Sequence, residues 1–428
     1  MTLFFDLLYL LILICVSPWI FWRRLVYGRY RNSWQEKLLG PCGTPGSGKS
    51  TVWFHAVSVG EVQVIRTLVE KMESKCPELQ FAISVSTDSG FELARRLFRQ
   101  HYVFYAPLDF SWAIKRAMQR INPRLIVLAE LELWPNWLSL AKHAKCPVAI
   151  VNGRLSQSSF QGYARIHFLV RKWLQSIAWL GAQSETYAQR FEFLGIPRSN
   201  IAVTGNVKFD GASGNRHCDE VNSRRELLGL TVSDLVWVAG STQSPEEELI
   251  LKTFVELSPR FPQLKLILVP RHPERFDDVA KLIELTNQPW ARRSESNSQH
   301  VGQSWKIFLG DSVGELRWWW GLAQLGFVGG SFGDRGGQNM IEPCAFGVAT
   351  CFGPNTKNFA DIVKLLLDDN ACSQLHHPDE LGPWLERMIL SPADREIMAQ
   401  SAIATCQMHR GASLRTWDHI ERLLNSRT

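Results

Sequence analysis

Three stretches of this sequence set charged side chains directly behind apolar, strand-like runs, where α/β proteins gather their chemistry. In residues 53–62, WFHAVSVGEV, Glu61 follows Ser-Val-Gly at the opening of a helical pattern. A carboxylate placed there either caps the helix beside it or takes a proton from a substrate hydroxyl that Gly60 allows to come close. The helix end lowers such an acid's pKa and burial raises it, and the letters alone do not settle which dominates. In residues 130–136, ELELWPN, Glu130 and Glu132 stand one residue apart before Trp-Pro. They read as a paired-carboxylate site or as the acidic entry to a helix with Pro in its first turn. In residues 205–210, GNVKFD, Lys208 follows a strand-like run and either enters a cleft or is solvated surface.

The second half of the chain carries residues suited to an anion. Gly240, Ser241 and Thr242 precede PEEE, a helix start whose amides suit an anion and whose acids oppose one. VPRHPER, residues 269–275, holds Arg271 and His272 between two prolines, a stiff basic corner that suits a phosphate. The glycines of residues 329–337 let backbone amides approach a phosphate, and Asn339 and Glu342 follow at a helix opening suited to ribose hydroxyls. GTPGSGKS, residues 43–50, matches the phosphate-loop pattern GxxxxGK[ST] letter for letter. Its flanks are reversed, however: WQEKLLGPC before it is no buried strand, and VWFHAVS after it is a strand and not a helix. The stretch reads as a linker.

The elements that must position these residues alternate. Apolar runs at 52–58, 81–86, 124–130, 147–152 and 178–184 are separated by amphipathic stretches such as 61–75 and 91–100. After a polar break at 210–222 the alternation resumes with runs at 235–241, 264–270, 306–311, 325–331 and 348–353. This βαβ order predicts an α/β fold of two doubly wound, Rossmann-like domains with an interdomain cleft, ligands lying at the carboxyl ends of the strands.

At 428 residues, with 45% hydrophobic and 21% charged residues, the composition excludes a disordered, collagen-like or polytopic membrane chain. The net charge of +6, from 47 basic and 41 acidic residues, is too diffuse for nucleic acid and fits an anionic small substrate or membrane surface. The 9 cysteines stand singly, without zinc spacing, and read as reduced thiols. With 17 Trp and 23 Phe the chain expects thick packed interfaces, a bilayer or a large amphipathic ligand. Residues 2–22, TLFFDLLYLLILICVSPWIFW, are long enough to cross a hydrocarbon core of about 30 Å. Arg23, Arg24, Arg29, Arg31 and Lys37 follow, with Tyr27, Tyr30 and Trp34 among them, which predicts a retained anchor with the remaining chain in the cytoplasm. The expected domains are an anchor at 1–22, a membrane-proximal linker at 23–51 and two Rossmann-like domains at 52–215 and 216–428.

Taken in order, WFHAVSVGEV, ELELWPN, NGRLS, GNVKFD, GST, LVPRHPER, GDSVGEL and GGS…GGQNMIEP…GP…NF behind an apolar N-terminal segment resemble the 3-deoxy-D-manno-octulosonic acid (Kdo) transferases, from the anchor to about residue 365. The resemblance implies a GT-B glycosyltransferase fold and transfer of Kdo from CMP-Kdo to a lipid A precursor (lipid IVA), with inversion, at the cytoplasmic face of the inner membrane. It implies Glu61 as proton acceptor, and Glu130 and Lys208 as transition-state stabilisers. CMP contacts are implied at Pro270 and Arg271, at Val313, Gly314 and Glu315, and at Asn339, Met340, Ile341 and Glu342. No metal or cofactor is expected, CMP-Kdo being a substrate; the partners are the donor, the lipid acceptor and inner-membrane lipids, with no nucleic acid. Gln338 stands where many members carry His, ELE replaces Glu-Thr-Glu, and residues 332–335 depart from the pattern over the donor.

Overall fold

A computed structural model of the chain describes residues 2–27, 33–46, 48–211, 214–296 and 304–425. The chain divides into two compact units, Met1–Asp210 with His409–Thr428, and Gly211–Met408.

In the first unit α1 (Thr2–Tyr27) and α2 (Trp34–Leu39) precede β1 (Ser50–Ala56), α3 (Val59–Lys75), β2 (Leu79–Val85), α4 (Asp88–Leu97), β3 (Tyr102–Tyr105) and α5 (Ser111–Ile121). There follow β4 (Pro123–Ala129), α6 (Pro135–His143), β5 (Val148–Gly153), α7 (Gln157–Arg165), α8 (His167–Leu174), β6 (Trp179–Ala182), α9 (Glu185–Leu194) and β7 (Ile201–Val203). Every strand pairing is parallel, in the order β3-β2-β1-β4-β5-β6-β7. The central strands are apolar along most of their length because both faces are covered. Val52, Phe54, Leu125 and Val127 join the core on one face, and Trp53, Ile126, Leu128 and Ile150 the core on the other.

The second unit repeats the plan. Its elements are α10 (Asp219–Leu227), β8 (Leu235–Thr242), α11 (Glu246–Leu257), β9 (Leu264–Pro270), α12 (Phe276–Glu284), β10 (Trp290–Arg292), β11 (Ile307–Leu309), α13 (Leu316–Trp320) and β12 (Leu325–Val328). They continue with α14 (Ile341–Ala345), β13 (Ala349–Phe352), α15 (Ala360–Asp368), β14 (Ser373–Gln374), α16 (Leu381–Leu390) and α17 (Pro392–His409). The sheet runs β10-β11-β9-β8-β12-β13-β14, again parallel. In each sheet the winding reverses at one pair of strands, β1/β4 in the first and β8/β12 in the second. The ends of those pairs are where ligands enter such folds.

The last helix, α18 (Ala412–Asn425), belongs to the first unit, although the sequence left residues 216–428 as a single domain. Two features bring it back. Trp417, Ile420 and Leu424 form an apolar stripe in the same core as Phe54 and Val127. Asp210 then caps the helix, its carboxylate accepting from the backbone N–H of Gly411 at 2.6 Å, Ala412 at 3.0 Å and Ser413 at 2.6 Å.

Helix α1 contains an 18-residue window, Thr2–Trp19, of mean hydropathy 2.0, long and apolar enough to cross a membrane. Of the flanking residues assigned to its belt, Arg29, Tyr30 and Arg31 lie outside the described residues. The Lys37 ammonium lies 4.9 Å from the centroid of the Tyr105 ring, and burial pushes its pKa down.

Candidate active site

Glu61 combines both readings of its position. Ser58 is the N-cap of α3 and accepts from the Glu61 N–H. The Glu61 carboxylate reaches back, Oε2 accepting from the Val57 N–H at 2.8 Å and Oε1 from the Ser58 hydroxyl at 2.9 Å. The arrangement is a relative of the capping box. The same carboxyl is only 9% exposed, and burial pushes its pKa up, against the Val57 and Ser58 hydrogen bonds, with the Glu130 charge adding to the rise and Lys208 opposing it. Burial therefore outweighs the cap, and the acid becomes a stronger base than a solvated glutamate.

Three of the expected residues come together. Glu130 follows β4 with a φ of 58°, a left-handed backbone that is costly for a residue with a Cβ and concentrates at functional sites. Its Oε1 lies 3.7 Å from the Lys208 ammonium and its Oε2 3.0 Å from Nε of Arg154, a residue to which the sequence gave no role of its own. Lys208 is held by a chain across neighbouring strand ends. Asn152, at φ 54°, accepts the Val207 N–H at 3.0 Å, Gln183 donates to the Asn152 carbonyl at 2.9 Å, and Asn206 donates to Gln183 at 3.2 Å while accepting the Lys208 N–H at 3.1 Å. Glu132 joins the cluster: burial first, then the Glu61 charge, push its carboxyl up to about 7 despite the bond from the Trp134 indole at 2.8 Å. The β1/β4 switch point thus carries three carboxyls, two of them, Glu61 and Glu132, made more basic by burial, with two cations at Glu130.

In the second unit the β8/β12 switch point is built around an acid read from sequence as an obstacle to anions. Glu246, 2% exposed at the start of α11, accepts from the backbone N–H of Gly330 at 2.7 Å, Ser331 at 2.8 Å, Phe332 at 3.0 Å and Gln243 at 3.0 Å. It fills the helix N-terminus and pins the glycine loop after β12. A Cβ on Gly329 would lie 2.5 Å from the Ser241 carbonyl oxygen, so the loop needs glycine there. Its far side is tied by the Gly353 N–H to the Ser331 hydroxyl at 2.9 Å and by the Gly337 N–H to the Gly330 carbonyl at 2.7 Å.

The expected CMP contacts divide by what their side chains are free to do. Pro270 ends β9, and the Arg271 N–H donates to the Thr242 carbonyl at 3.0 Å, joining the basic corner to the end of β8. The exposed Arg271 guanidinium reaches Glu342 electrostatically, as does Arg317 of α13. Burial still holds Glu342 above the ordinary glutamate value, against the Asn339 amide, which donates to it at 3.0 Å. Met340 and Ile341 are core side chains at 0% and 2% exposure and offer a ligand only backbone. Val313 is exposed, and Gly314 at φ 87° has open space around its Cα. Burial works to raise the Glu315 carboxyl, but Arg293, Ser312 and Arg224 hold it below its usual value, the arginines at 3.0 and 2.6 Å. That carboxylate is already engaged.

The stretch that matches the phosphate-loop pattern leads into a strand, as the linker reading expects. Ser50 opens β1, so the motif precedes a strand and no helix starts at Lys49, whose ammonium donates to the Pro77 carbonyl at 2.6 Å. Among the described residues no group of three or more His, Cys, Asp or Glu is placed to hold a metal ion.

A family model described as 3-deoxy-D-manno-octulosonic-acid transferase (kdotransferase) matches residues 30–211. The chain is 32% identical over 375 residues to the 3-deoxy-D-manno-octulosonic acid transferase of Haemophilus influenzae, covering 87% of each chain. It is 30% identical over 432 residues to that of Chlamydophila psittaci, covering 99% of this chain and 96% of the relative. Among solved structures, MurG of Acinetobacter baumannii superposes with a TM-score of 0.55 at 12% identity, over 87% of this chain and 99% of that one, a likeness of fold alone. The fold is of the GT-B type.

Proposed function

The chain belongs to the 3-deoxy-D-manno-octulosonic acid transferase family, and from that premise we propose that it moves Kdo from CMP-Kdo to a sugar hydroxyl of a lipid A precursor, lipid IVA, with inversion. The observation that carries the reading is the cluster at the β1/β4 switch point, where Glu61 is made basic by burial beside Glu130, Lys208 and Arg154.

In this reading the acceptor hydroxyl gives its proton to Glu61 as its oxygen bonds to the ketosidic carbon. The carbon–oxygen bond to the phosphate breaks, and its electron pair leaves with CMP. Glu130, fixed by Arg154 and Lys208, lies beside the positive charge that builds on the sugar ring. The second unit takes the nucleotide. Arg271 and the backbone of the pinned glycine loop meet the phosphate, Glu342 and Asn339 the ribose, and the open backbone of Val313 and Gly314 the base. These dipoles and side chains supply the charge stabilisation of the leaving group, so the reading calls for no metal or cofactor. Attachment through α1 holds the catalytic units at the cytoplasmic face of the inner membrane, where the lipid acceptor is met.

The test is incubation of the protein with CMP-Kdo and lipid IVA, followed by mass analysis of the lipid. Addition of one or more Kdo units with release of CMP supports the reading. CMP release without a lipid product, or no reaction with either substrate, counts against it.

A further inference from the structure

Arg216 lies in the polar break between the two runs of strands, where the sequence gave it no role. In the second unit its guanidinium is half-buried and donates to four backbone carbonyls: Nε to Phe346 at 2.7 Å, Nη1 to Gly321 at 3.3 Å, and Nη2 to Ala323 at 2.6 Å and Gly347 at 3.2 Å. Four of the five N–H groups of the fork are thereby used. The acceptors share a pattern. Gly321 is the C-cap of α13 and Phe346 the C-cap of α14, while Ala323 and Gly347 lie just before β12 and β13, the paired strands into which these helices lead. One planar cation therefore meets the negative ends of two helices at once. Burial first, then the Arg225 charge, bring its pKa down to about 10, which leaves it protonated at neutral pH. The backbone just before it is pressed onto the same place: a Cβ on Gly214 would collide with the Ala345 carbonyl and lie 2.8 Å from the Phe346 nitrogen.

Both helices have only five residues, too few to hold a direction of their own, so their orientation comes from what packs on them and what ties their ends. The two C-caps are neighbours, since a Cβ on Gly321 would lie 3.2 Å from the Phe346 ring. The residues proposed above to meet the nucleotide stand at the other ends. Val313 and Gly314 run into α13, and Asn339 and Glu342 open α14. There too the helices feel each other: burial raises the Glu342 carboxyl of α14, and the Arg317 charge of α13 opposes that rise. A helix of five residues is about 7.5 Å long, so a tilt of about 10° at the tied end moves the other end by about 1.3 Å. A misplacement of about 1 Å is enough to cost up to about a hundredfold at a site.

We propose that Arg216 is a positioning residue for the nucleotide donor: it ties the C-terminal ends of α13 and α14 to the turns before β12 and β13, and so sets the spacing of the base and ribose contacts at the opposite ends of the two helices. It acts through the helices and takes no part in the chemistry of the sugar. Removing it weakens the donor and leaves the acceptor step as it was. Lysine at this position keeps the charge, but one ammonium lacks the planar fork that reaches both helix ends. The inference rests on the cytidylate donor of the reading above, and not on the lipid acceptor.

The test compares the full-length parent, Arg216→Lys and Arg216→Ala by calorimetry with CMP and by steady-state transfer from CMP-Kdo to lipid IVA. Expected with alanine is a rise of about tenfold in the Kd for CMP and in the KM for CMP-Kdo, and with lysine a smaller rise of about threefold, while the KM for the lipid and kcat at saturating donor stay those of the parent. A merely structural role gives another pattern: fewer folded molecules lower the binding stoichiometry and the apparent kcat, and leave Kd and both KM values alone. That pattern, or a Kd for CMP within about twofold of the parent in the variants, overturns the inference. Where alanine prevents folding, the lysine variant decides by the same criteria. A parent that neither binds CMP nor transfers Kdo overturns the donor reading and the positioning role with it; a parent that does both, beside variants unchanged in Kd, removes the positioning role alone.

Discussion

Glu246 pins the glycine loop after β12, and removing it is the sharpest test of that loop's construction. Its carboxylate is the acceptor for four N–H groups, the buried ones of Gly330, Ser331 and Gln243 and the half-buried one of Phe332. Each buried donor left without an acceptor costs about 1–3 kcal/mol. Relaxation and water recover part of this, so Glu246→Ala is expected to cost about 3–5 kcal/mol, the range for removing one partner from a buried charged group. Glu246→Gln keeps the shape but turns an NH2 group toward two of the donors, and about half the loss remains. For a unit of this size the alanine variant shifts the unfolding midpoint down by about 6–20 °C. The assay is thermal unfolding of the full-length protein with and without CMP, together with CMP binding by calorimetry. Those amides are taken by Glu246, and the loop whose path they fix carries the backbone proposed to meet the phosphate, so CMP affinity falls along with the midpoint. A Glu246→Gln protein whose midpoint stays within 1 °C of the parent and whose CMP affinity is unchanged would refute the pinning argument.

Two further outcomes follow from the sites. A base must be deprotonated to act, and burial raises Glu61, so kcat/KM falls on acidification with a midpoint above the usual glutamate range; Glu132→Gln removes a neighbouring carboxyl and moves that limb to lower pH, and a limb that stays or rises contradicts the cluster. CMP raises the melting temperature of the second unit and UDP does not, and equal stabilisation by both in a thermal-shift experiment counts against a cytidylate donor.

Much of this architecture was legible because central parallel strands are apolar on both faces and leave unbroken runs. Both switch-point pairs were expected within a few residues of their observed bounds. The strands β3, β7, β10 and β14 were not, being segments of two to four residues near the sheet edges, where burial is incomplete and no long apolar run is required. Glu61, Glu130 and Lys208 were legible as charges behind strands. Arg154 was not singled out, because its partner lies on another strand and nothing local marks the pairing. Glu246 was read the wrong way round: three consecutive acids suggested repulsion of an anion, whereas two of them turn inward, Glu246 to the loop amides and Glu247 to Arg275 at 3.2 Å. Asp210 and Asp6 were given no role from the sequence for the same reason. Each carboxylate satisfies backbone groups about a hundred or more residues away, and sequence spacing carries no trace of a partner that only the fold brings near.

The most direct measurement is the turnover of Glu61→Gln with CMP-Kdo and lipid IVA, beside its affinity for CMP. The account predicts a loss in kcat of about 10²–10⁴ with CMP binding intact, because the amide keeps the side chain's size but takes no proton at working pH. Turnover within tenfold of the parent would contradict the assignment of the acid at position 61 as the group that deprotonates the acceptor.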